Sequence, residues 1–484
     1  MELLRKSIHS LGLTFPILGA IFGREFLLMF LVISIVSFLV LEGLRISGIQ
    51  IPIYSEIIWM SLRDKEDSKK PFLPTFYFLL SSLVLLLIFW EKIEIFYSSV
   101  SILSVGDSVS SIVGASLGRR KLPYPMDSNK TIEGSASFLL SSFLVSNVFL
   151  DWKGALASSL IACFFEAIGR VNDNLSVPFS SALGPYLSKG NLMATLVFSS
   201  FLITFLLSSL FAKKFPELGI FGVDLHKLDK PKVAEMGGIS IFFGLVPVLL
   251  ILGRDELFLV ALISVTIGVI DDLVQLRQRD KVMLCALASI PLFPRGEVLG
   301  FQGLLAYFLM AMGITGGSNA FNLLAGFNGL EAGLSLILFS FSCMFLKGDL
   351  LVISACISLS LIAFLYFNWY PARIFPGDSG TLLLGAMYSS LAILGNSELV
   401  MALFLIPHMA DLLLKSKSRF GTKKIGPTVI SENGFLIPPK YSSLISEILK
   451  RRRFKEVELV LLLLGVQLAT CGVISCLFLA GPWS

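Results

Sequence analysis

Long apolar runs, broken at short intervals by polar or helix-breaking residues, recur from one end of the chain to the other. Many of them are roughly 17–22 residues long, the length that an α-helix needs to cross the hydrocarbon of a bilayer. Seven crossings are predicted before residue 190, at 8–22, 26–41, 72–90, 95–113, 134–150, 154–169 and 176–189. Ten more follow, at 191–212, 236–252, 256–272, 281–293, 300–317, 328–346, 349–367, 379–395, 398–414 and 457–480. We therefore expect an all-α polytopic membrane protein with about 17 transmembrane helices.

The composition supports a membrane location. Of the 484 residues, 55% are hydrophobic and only 15% are charged, whereas about a quarter of the residues in soluble domains are charged. We expect no cleavable signal peptide, because no apolar run stands apart from the others. The six cysteines have no paired spacing and lie mostly within apolar runs, so they are expected to be small core residues.

Lysine and arginine residues are concentrated in alternate loops. In the second part of the chain, the loops at 213–232, 273–281, 368–378 and 415–455 hold 20 of them, whereas those at 253–255, 294–299 and 347–348 hold three. The same count in the first part gives 12 against four, with the N-terminus inside. Basic loops face the cytoplasm. We therefore expect a multi-pass protein of the cell membrane of a prokaryote, with its active-site loops in the cytoplasm.

The polar motifs of the chain all fall on that same predicted face. A transporter would place ionisable groups near the midplane of the bilayer, between structural repeats. Placement on one face instead favours an enzyme that uses water-soluble substrates together with a lipid. A transporter or flippase is the non-enzymatic alternative.

Three polar motifs mark the second part: "GVIDDLVQLRQRDK" (268–281), "SNAFNLLAGFNGLEAG" (318–333) and "NWYPARIFPGDSG" (368–380). Their oxygen and amine groups belong to Asp271, Asp272, Lys281, Asn322, Asn328 and Asp378. A single Asp or Asn at a helix end is usually a solvated cap, but the convergence of several motifs on one face indicates a site. Oxygen ligands without His or Cys suit Mg²⁺ or Mn²⁺, which bind substrate phosphates as well as carboxylates. A nucleotide-sugar substrate fits this chemistry.

These motifs resemble, in order and spacing, the signatures of the polyprenyl-phosphate N-acetylhexosamine-1-phosphate transferases, over roughly residues 190–414. The family includes the eukaryotic dolichyl-phosphate GlcNAc-1-phosphate transferase and the bacterial MurNAc-pentapeptide transferase. "NGLEAG" and "NWYP" are closer to the eukaryotic GlcNAc branch, and the histidine-rich motif of the bacterial branch is missing. The resemblance implies that a domain at 190–484 transfers GlcNAc-1-phosphate from UDP-GlcNAc to a polyprenyl phosphate.

The resemblance also implies roles for the residues that contact the nucleotide sugar. Asp378 and Asn322 would hold Mg²⁺ against the diphosphate. Phe375 would stack on the uracil, and Asn328 would hydrogen-bond the uridine. Glu235, in "VAEMGG", matches a family glutamate near the nucleotide site.

The remaining family positions concern the phosphates and the sugar. Lys281 would position a lipid or nucleotide phosphate, and Asp271 and Asp272 would order that lysine and the acceptor phosphate or act as base. We favour the electrostatic role, because a phosphate acceptor is already ionised at neutral pH. An Arg-His-Arg motif of the eukaryotic members is missing from the loop "KSKSRFGTKKIGPTVISENG", where Arg419 or nearby lysines would substitute, so the exact sugar is open.

A second polar constellation lies in the first part, at "SVGDSVSSIVGASLGRRKLPYPMDSNKTIEGSASF" (104–138) and "EAIGRVNDNLSVPF" (166–179). The glycines of "GASLG" are more often a helix-packing motif than a phosphate cradle. "SNKTIEG" is the stronger signal, because Lys130, Thr131 and Glu133 have no packing reason to occur together. Lys130 would supply positive charge to a phosphate, and Asp107 and Asp173 could share a metal ion.

This pattern resembles the dolichol kinase family of CTP-dependent polyprenol kinases, over residues 1–189. The resemblance implies that CTP and its metal are bound by Asp107, Lys130, Thr131 and Glu133. Glu166, Asp173 and Asn174 would complete the site or handle the prenol hydroxyl. An alcohol needs help to lose its proton, so Asp173 or Glu166 is a plausible base.

Together the two parts predict a bifunctional enzyme that makes polyprenyl phosphate from polyprenol and then loads GlcNAc-1-phosphate onto it, as at the start of N-glycan or cell-surface glycan synthesis. The first domain has two alternatives, a cytidylyltransferase that makes a CDP-lipid and an inactive scaffold. The usual cytidylyltransferase signature is missing. No nucleic-acid partner is expected, and a homodimer is left open.

Overall fold

A computed structural model of the chain describes residues 11–47, 73–169, 172–417, 428–439 and 441–480. The chain divides into two compact units, Met1–Thr195 and Leu196–Ser484, a few residues beyond the boundary placed at 189/190 from the sequence. Seven helices of the described part are long and apolar enough to cross a membrane, or eight if one bent pair is a single span. The chain is thus an integral membrane protein built mainly from helices. The total of 17 crossings and the cytoplasmic loops stay predictions.

The described residues of the first unit are mainly helical, with an irregular segment at 118–131 that contains a β-bridge between Lys121 and Thr131. Its helices are α1 (Thr14–Phe22), α2 (Arg24–Ile46), α3 (Leu73–Ile88), α4 (Ile93–Ser101), α5 (Asp107–Ser116), α6 (Ile132–Ser146), α7 (Trp152–Ile168), α8 (Asp173–Ser181), α9 (Gly184–Ser188) and the first turn of α10 (Leu192–Lys214). A π-helical turn, Ile102–Gly106, joins α4 to α5. Such turns are frequent at functional sites, and Asp107 follows this one directly.

Several small polar side chains of the first unit are buried, whereas some of its large apolar side chains are exposed. Ser81, Ser82 and Ser98 are buried, whereas Leu140 and Val148 are 62% and 74% exposed. Small polar residues at helix interfaces and aliphatic residues on the outside are typical of helices packed within lipid. The burial pattern therefore agrees with the membrane location.

Within its described residues, the second unit contains most of α10 and eleven further α-helices. These are α11 (Gly238–Ile251), α12 (Asp255–Val274), α13 (Gln278–Leu287), α14 (Gly303–Leu323), α15 (Leu330–Ser342), α16 (Gly348–Asn368), α17 (Gly377–Leu394), α18 (Glu398–Phe404), α19 (Ile406–Lys417), α20 (Leu444–Arg451) and α21 (Glu456–Ala480). The described residues of this unit also form three antiparallel two-stranded hairpins, which the all-α prediction did not include. These hairpins pair β1 (Phe221–Val223) with β2 (Lys232–Ala234), β3 (Glu297–Val298) with β4 (Phe301–Gln302), and β5 (Val429–Ile430) with β6 (Leu436–Ile437).

Helix α17 lies at the centre of the second unit, packed against α11, α12 and α14. Glycines permit this close packing at two positions. A Cβ on Gly268 of α12 would overlap the backbone of Ser379 in α17, and a Cβ on Gly317 of α14 would overlap Ser389. The first turn of α17 is therefore held directly against α12, and a later turn of α17 is held against α14.

Two predicted crossings in the second unit are interrupted. The run 281–293 is split between α13 and a 3₁₀ turn, Ile290–Arg295, because Pro291 and Pro294 supply no N–H for a continued α-helix. The run 398–414 is split into α18 and α19, which are bent by 63°.

The predicted crossing 176–189 in the first unit is also interrupted. It becomes the two short helices α8 and α9. Pro185 stands at the beginning of α9, where a missing N–H costs no helical hydrogen bond.

Candidate functional site

Lys281 lies between two carboxylates at the end of the α12–α14 bundle. Its Nζ is 2.5 Å from Oδ2 of Asp271 and 3.1 Å from Oδ2 of Asp378. Lys281 and Asp271 are both buried, whereas the side chain of Asp378 is 26% exposed. Oδ1 of Asp271 also accepts the Leu276 N–H at 2.6 Å, which fixes the turn after α12. The lysine is therefore held rigidly against Asp378, as a phosphate-binding ammonium group would need to be.

Asp272 makes a different set of contacts from its neighbour Asp271. Its two carboxylate oxygens accept the backbone N–H groups of Asp378 at 2.7 Å and Ser379 at 3.1 Å. These N–H groups belong to the first turn of α17 and have no partner within the helix. Asp272 therefore binds the start of α17 and fixes the backbone that carries Asp378.

Asn322, in the last turn of α14, completes the contacts of Asp378. Its Nδ2 donates to Oδ1 of Asp378 at 2.6 Å. Asp271, Asp272, Asp378 and nearby Glu235 bring four carboxylates to this region, and the ammonium of Lys281 contacts two of them. An oxygen-rich site with an excess of negative charge suits Mg²⁺ or Mn²⁺, so the donor set fits the predicted metal.

A cavity of about 420 Å³ opens beside Asp378. Its lining includes Glu235, Asp272, Asn322, Asn328, Phe375 and Asp378, all of which were singled out from the sequence. Lys281 does not line the cavity itself, but it contacts Asp378, which lines the cavity. The structure therefore brings the predicted residues of the second domain together.

The cavity wall is tied together by backbone hydrogen bonds between distant loops. The Phe375 N–H donates to the Ala234 carbonyl at 2.7 Å, and the Gly237 N–H donates to the Phe375 carbonyl at 2.9 Å. Glu235 lies between these two bonds, and burial together with the Asp378 carboxylate raises its pKa. The ring of Phe375 and the carboxyl of Glu235 both lie against the β1–β2 hairpin, next to Gly222.

Asn328 is held by a buried network that the sequence did not reveal. Its Nδ2 donates to Oδ2 of Asp224 at 2.9 Å, and its backbone N–H donates to Oε1 of Glu456 at 2.8 Å. Lys227 joins the two carboxylates, with Nζ at 2.8 Å from Asp224 and 3.2 Å from Glu456. We call Asp224, Lys227 and Glu456 the Asn328 network.

Asp224, His226 and Glu456 also satisfy the spacing of a metal site, with ligand atoms within 4.8 Å of one another. Lys227, however, forms ion pairs with the carboxylates of both Asp224 and Glu456. His226 stacks on Phe327 with ring centroids 4.4 Å apart, and burial lowers its pKa. The group is therefore an ion-pair network beside an aromatic stack.

The network was missed because its members are far apart in the sequence. Lys227 and Glu456 are separated by 229 residues. The signal that could have indicated part of it is the polar run "DLHKLDKPK" (224–232), which ends three positions before Glu235. Arg419, the predicted substitute for the missing Arg-His-Arg motif, lies outside the described residues.

In the first unit, Lys130 occupies a position like that of Lys281. Its Nζ is 2.9 Å from Oε1 of Glu166 and 3.0 Å from Oδ2 of Asp173, and it also donates to the Glu166 carbonyl at 2.5 Å. Burial lowers the pKa of Lys130, but the two carboxylates outweigh this effect and raise it above its usual value. The lysine is therefore a charged group in contact with two acidic side chains from α7 and α8.

These groups line a cavity of about 500 Å³ together with Asp107 and Thr131. Oε2 of Glu166 and Oδ1 of Asp173 are buried and accept no hydrogen bond from the described residues. Burial raises the pKa of Asp173 to about 6 against the opposing effect of Lys130. The cavity thus contains carboxylate oxygens with unused capacity to accept a proton or bind a cation.

The other predicted residues of the first domain have structural contacts. Thr131 caps α6 by accepting the Gly134 N–H at 3.1 Å. Glu133 does not line the cavity and accepts the backbone N–H groups of Arg119 and Arg120. Asn174 does not line it either.

Asn174 is instead bound to a neighbouring helix. It is buried and donates to the Pro74 carbonyl at 2.8 Å, which connects α8 to the first turn of α3. The side chains of Glu133 and Asn174 are thus engaged in these contacts and do not line the cavity, and their substrate-binding roles stay predictions.

Comparison with known proteins identifies the second unit. Residues 256–396 match the family described as glycosyl transferase family 4. A protein of Methanocaldococcus jannaschii named as a glycosyltransferase is 34% identical over 298 residues, which cover 57% of this chain and 93% of that protein. A protein of Saccharolobus solfataricus named as a UDP-N-acetylglucosamine–dolichyl-phosphate N-acetylglucosaminephosphotransferase is 30% identical over 296 residues, 55% of this chain and 91% of that protein.

A more distant relative comes from a eukaryote. The UDP-N-acetylglucosamine–dolichyl-phosphate N-acetylglucosaminephosphotransferase of Schizosaccharomyces pombe is 31% identical over 208 residues, 35% of this chain and 46% of that protein. The residues that match the family contain Asp271, Asp272, Lys281, Asn322, Asn328 and Asp378. Because the chain covers more than nine-tenths of the relatives from Methanocaldococcus jannaschii and Saccharolobus solfataricus, it belongs to glycosyl transferase family 4.

Proposed function

We propose that the second domain transfers GlcNAc-1-phosphate from UDP-GlcNAc to a polyprenyl phosphate. The observation that carries this proposal is the position of Asp378, which contacts Lys281 and Asn322 and faces a cavity wide enough for a nucleotide. The names of the relatives from Saccharolobus solfataricus and Schizosaccharomyces pombe support the substrate pair.

In the proposed reaction, an oxygen of the lipid phosphate attacks the β-phosphorus of UDP-GlcNAc. The bond between the β-phosphorus and the oxygen that bridges to the α-phosphorus breaks, and UMP leaves with that oxygen. The product is polyprenyl-diphospho-GlcNAc. No proton needs to be removed from the acceptor, because a phosphate monoester is ionised at neutral pH.

The charged side chains would act by position and electrostatics. Lys281 would bind a phosphate oxygen and stabilise the charge that develops on the reacting phosphoryl group. Asp271 would orient Lys281, and Asp272 would hold the first turn of α17. Because both aspartates already serve these contacts, the electrostatic role is favoured over proton abstraction.

A divalent cation is part of the proposal. Asp378 and Asn322 would hold Mg²⁺ or Mn²⁺, since the two side chains are in contact, both line the cavity and each carries an oxygen atom. Such an ion, when bound, neutralises diphosphate charge and makes the phosphorus more electrophilic. Phe375, Asn328 and Glu235 would bind the nucleoside, and Arg419 would contact the sugar. We propose that this site faces the cytoplasm, where UDP-sugars are available.

The test uses the purified full chain in lipid, with polyprenyl phosphate, Mg²⁺ and UDP-GlcNAc. We expect polyprenyl-diphospho-GlcNAc and UMP in equal amounts, with loss of both in Asp378→Asn. Asp280→Asn is the matched control, because Asp280 is exposed one residue before Lys281. Release of UDP in place of UMP, or full activity in Asp378→Asn, would contradict the proposal.

We further propose that the first domain is a CTP-dependent polyprenol kinase, carried by the Lys130 site. The prenol oxygen would attack the γ-phosphorus of CTP, the bond to the β–γ bridging oxygen would break, and CDP would leave. Asp173 or Glu166 would accept the hydroxyl proton, since each has an unpartnered oxygen among the described residues. Lys130 would bind a phosphate, and Asp107 would assist in holding a metal ion.

The kinase proposal is tested with polyprenol and CTP alone. We expect polyprenyl phosphate and CDP, and loss of both in Lys130→Ala. Lys153→Ala, which removes an exposed lysine at the start of α7, is the matched control. A CDP-lipid with pyrophosphate would instead indicate a cytidylyltransferase, and an inactive first domain would indicate a scaffold.

The two proposed activities would follow one another on the same lipid. The kinase product is the acceptor of the transferase, and both lipids are insoluble in water. One chain with both activities would start a lipid-linked glycan of the kind used in N-glycosylation or at the cell surface. Nucleotide-independent flux in vesicles, with no lipid product, would favour a transporter over both proposals.

A further inference from the structure

We infer that the Asn328 network, Asp224, Lys227 and Glu456, orients the Asn328 amide so that the cavity prefers uracil to cytosine. This inference deepens the proposed transferase function and rests on it. The three residues would be positioning residues, because Asp224 and Glu456 accept hydrogen bonds from Asn328 and Lys227 forms ion pairs with both carboxylates.

Two carboxylates fix Asn328 from separate directions. Asp224 accepts from the side-chain Nδ2 at 2.9 Å, and Glu456 accepts from the backbone N–H at 2.8 Å. All three residues are at least 96% buried. Hydrogen bonds to ionised acceptors in a buried setting are stronger than neutral ones, so the orientation of the amide is strongly determined.

Lys227 makes this arrangement possible. Two buried carboxylates close together would repel each other and would be costly to desolvate without a counter-charge. Nζ of Lys227 contacts both and also lies 3.9 Å from the centre of the Tyr370 ring. Burial lowers the pKa of Lys227, but Asp224 and Glu456 outweigh it and raise the pKa. The lysine therefore stays protonated. Its contact helps to lower the pKa of Asp224, whereas burial raises the pKa of Glu456 against the opposing effect of Lys227.

The planar amide turns as a unit, so fixing Nδ2 also fixes Oδ1. Asp224 is an acceptor only, which excludes the flipped orientation in which Oδ1 would point at it. Oδ1 of Asn328 accepts no hydrogen bond from the described residues, and Asn328 lines the cavity beside Phe375. The network thus leaves an acceptor for the ligand.

An acceptor at this point discriminates between pyrimidines. Uracil carries an N–H donor at N3, whereas N3 of neutral cytosine is an acceptor that would face Oδ1 with no hydrogen between them. A site built to accept from a ligand N–H rejects an analogue without it, because buried polar groups are then left unpaired. The network would therefore select UDP-linked over CDP-linked sugars.

The test measures dissociation constants of UDP and CDP at the transferase site of the purified full chain, as competitive inhibition of UMP release from UDP-GlcNAc, because the proposed kinase site would itself bind CDP in a direct titration. The unchanged chain should bind UDP more tightly than CDP. Asp224→Asn offers Asn328 a donor as well as an acceptor, so the amide can flip. We expect the dissociation constant for UDP to rise about tenfold while that for CDP changes little.

Glu456→Gln keeps the shape of the network but removes one charge, and should shift the UDP-to-CDP ratio in the same direction by less. Both variants should raise KM for UDP-GlcNAc more than they lower kcat. Asp229→Asn and Glu458→Gln, which change exposed carboxyl groups of the same loop and helix, should leave the ratio unchanged.

Two failures can be told apart. Equal weakening of UDP and CDP in Asp224→Asn, or no weakening of either, would overturn the inference and leave the transferase proposal standing. An unchanged chain that binds no UDP and releases no UMP would overturn both.

Discussion

The carboxylate of Asp272 accepts the backbone N–H of Asp378 at 2.7 Å, although the two residues are 106 positions apart in the chain. This bond connects the end of α12 to the beginning of α17. Its neighbour in the sequence, Asp271, points to Lys281 instead. Adjacent aspartates therefore divide two tasks, one fixing the backbone under Asp378 and the other orienting the lysine beside it.

Loss of the Asp272 contact should affect the rate of transfer more than substrate binding. In Asp272→Asn one oxygen is replaced by an N–H₂ group that faces a backbone N–H, so the first turn of α17 loosens. We expect kcat to fall about tenfold, with little change in KM for UDP-GlcNAc. Steady-state measurement of UMP release checks this, and an unchanged kcat would contradict it.

Replacement of Lys281 should separate catalysis from metal binding. In Lys281→Gln, Asp378 loses its ammonium partner, so the negative potential at the proposed cation site rises. We expect kcat/KM to fall about 100-fold while Mn²⁺ binds more tightly, as measured by electron paramagnetic resonance. Weaker Mn²⁺ binding in this variant would argue against Asp378 as a ligand.

Helix packing at Gly268 should be sensitive to a single methyl group. Gly268→Ala would force α12 and α17 apart at Ser379, and overpacking of this kind costs about 1–3 kcal/mol. Gly316→Ala on α14 is the control, because a Cβ there meets nothing within 4 Å. We expect a lower thermal unfolding temperature for the first variant alone, and equal temperatures would contradict the packing.

The kinase reaction should depend on the protonation of Asp173. Because burial raises its pKa to about 6, the carboxylate that accepts the prenol proton is lost as the pH falls through that value. The rate of polyprenyl phosphate formation should therefore decline below about pH 6. Asp173→Asn should lack this acidic limb, whereas the exposed control Asp151→Asn should keep it. A flat profile in the unchanged chain would assign the proton to another group.

The convergence of Asp271, Asp272, Lys281, Asn322 and Asp378 could be predicted from the sequence, because each follows or precedes an apolar run and the predicted order of crossings would put them on one face. The different contacts of the two aspartates could not be predicted from the sequence, since they depend on how closely α12 approaches α17. That approach is decided by the packing of Gly268 against a distant helix.

Other features of the structure could not be predicted from the sequence for similar reasons. The Asn328 network combines single polar residues from remote segments, and Glu456 taken alone is an ordinary acidic residue in the first turn of a helix. The interruption of 281–293 was predictable in principle from Pro291 and Pro294, but the apolar composition of the run outweighed that signal. The hairpins are two or three residues long, too short for a periodic pattern.

The central claim is that one chain carries both steps from polyprenol to polyprenyl-diphospho-GlcNAc. The most direct measurement incubates the purified chain in lipid with polyprenol, Mg²⁺, CTP and UDP-GlcNAc, omits one component at a time, and identifies the lipids by mass. The account predicts polyprenyl-diphospho-GlcNAc only when both nucleotides are present, with Lys130→Ala and Asp378→Asn blocking different steps. Product from supplied polyprenyl phosphate but never from polyprenol would contradict it.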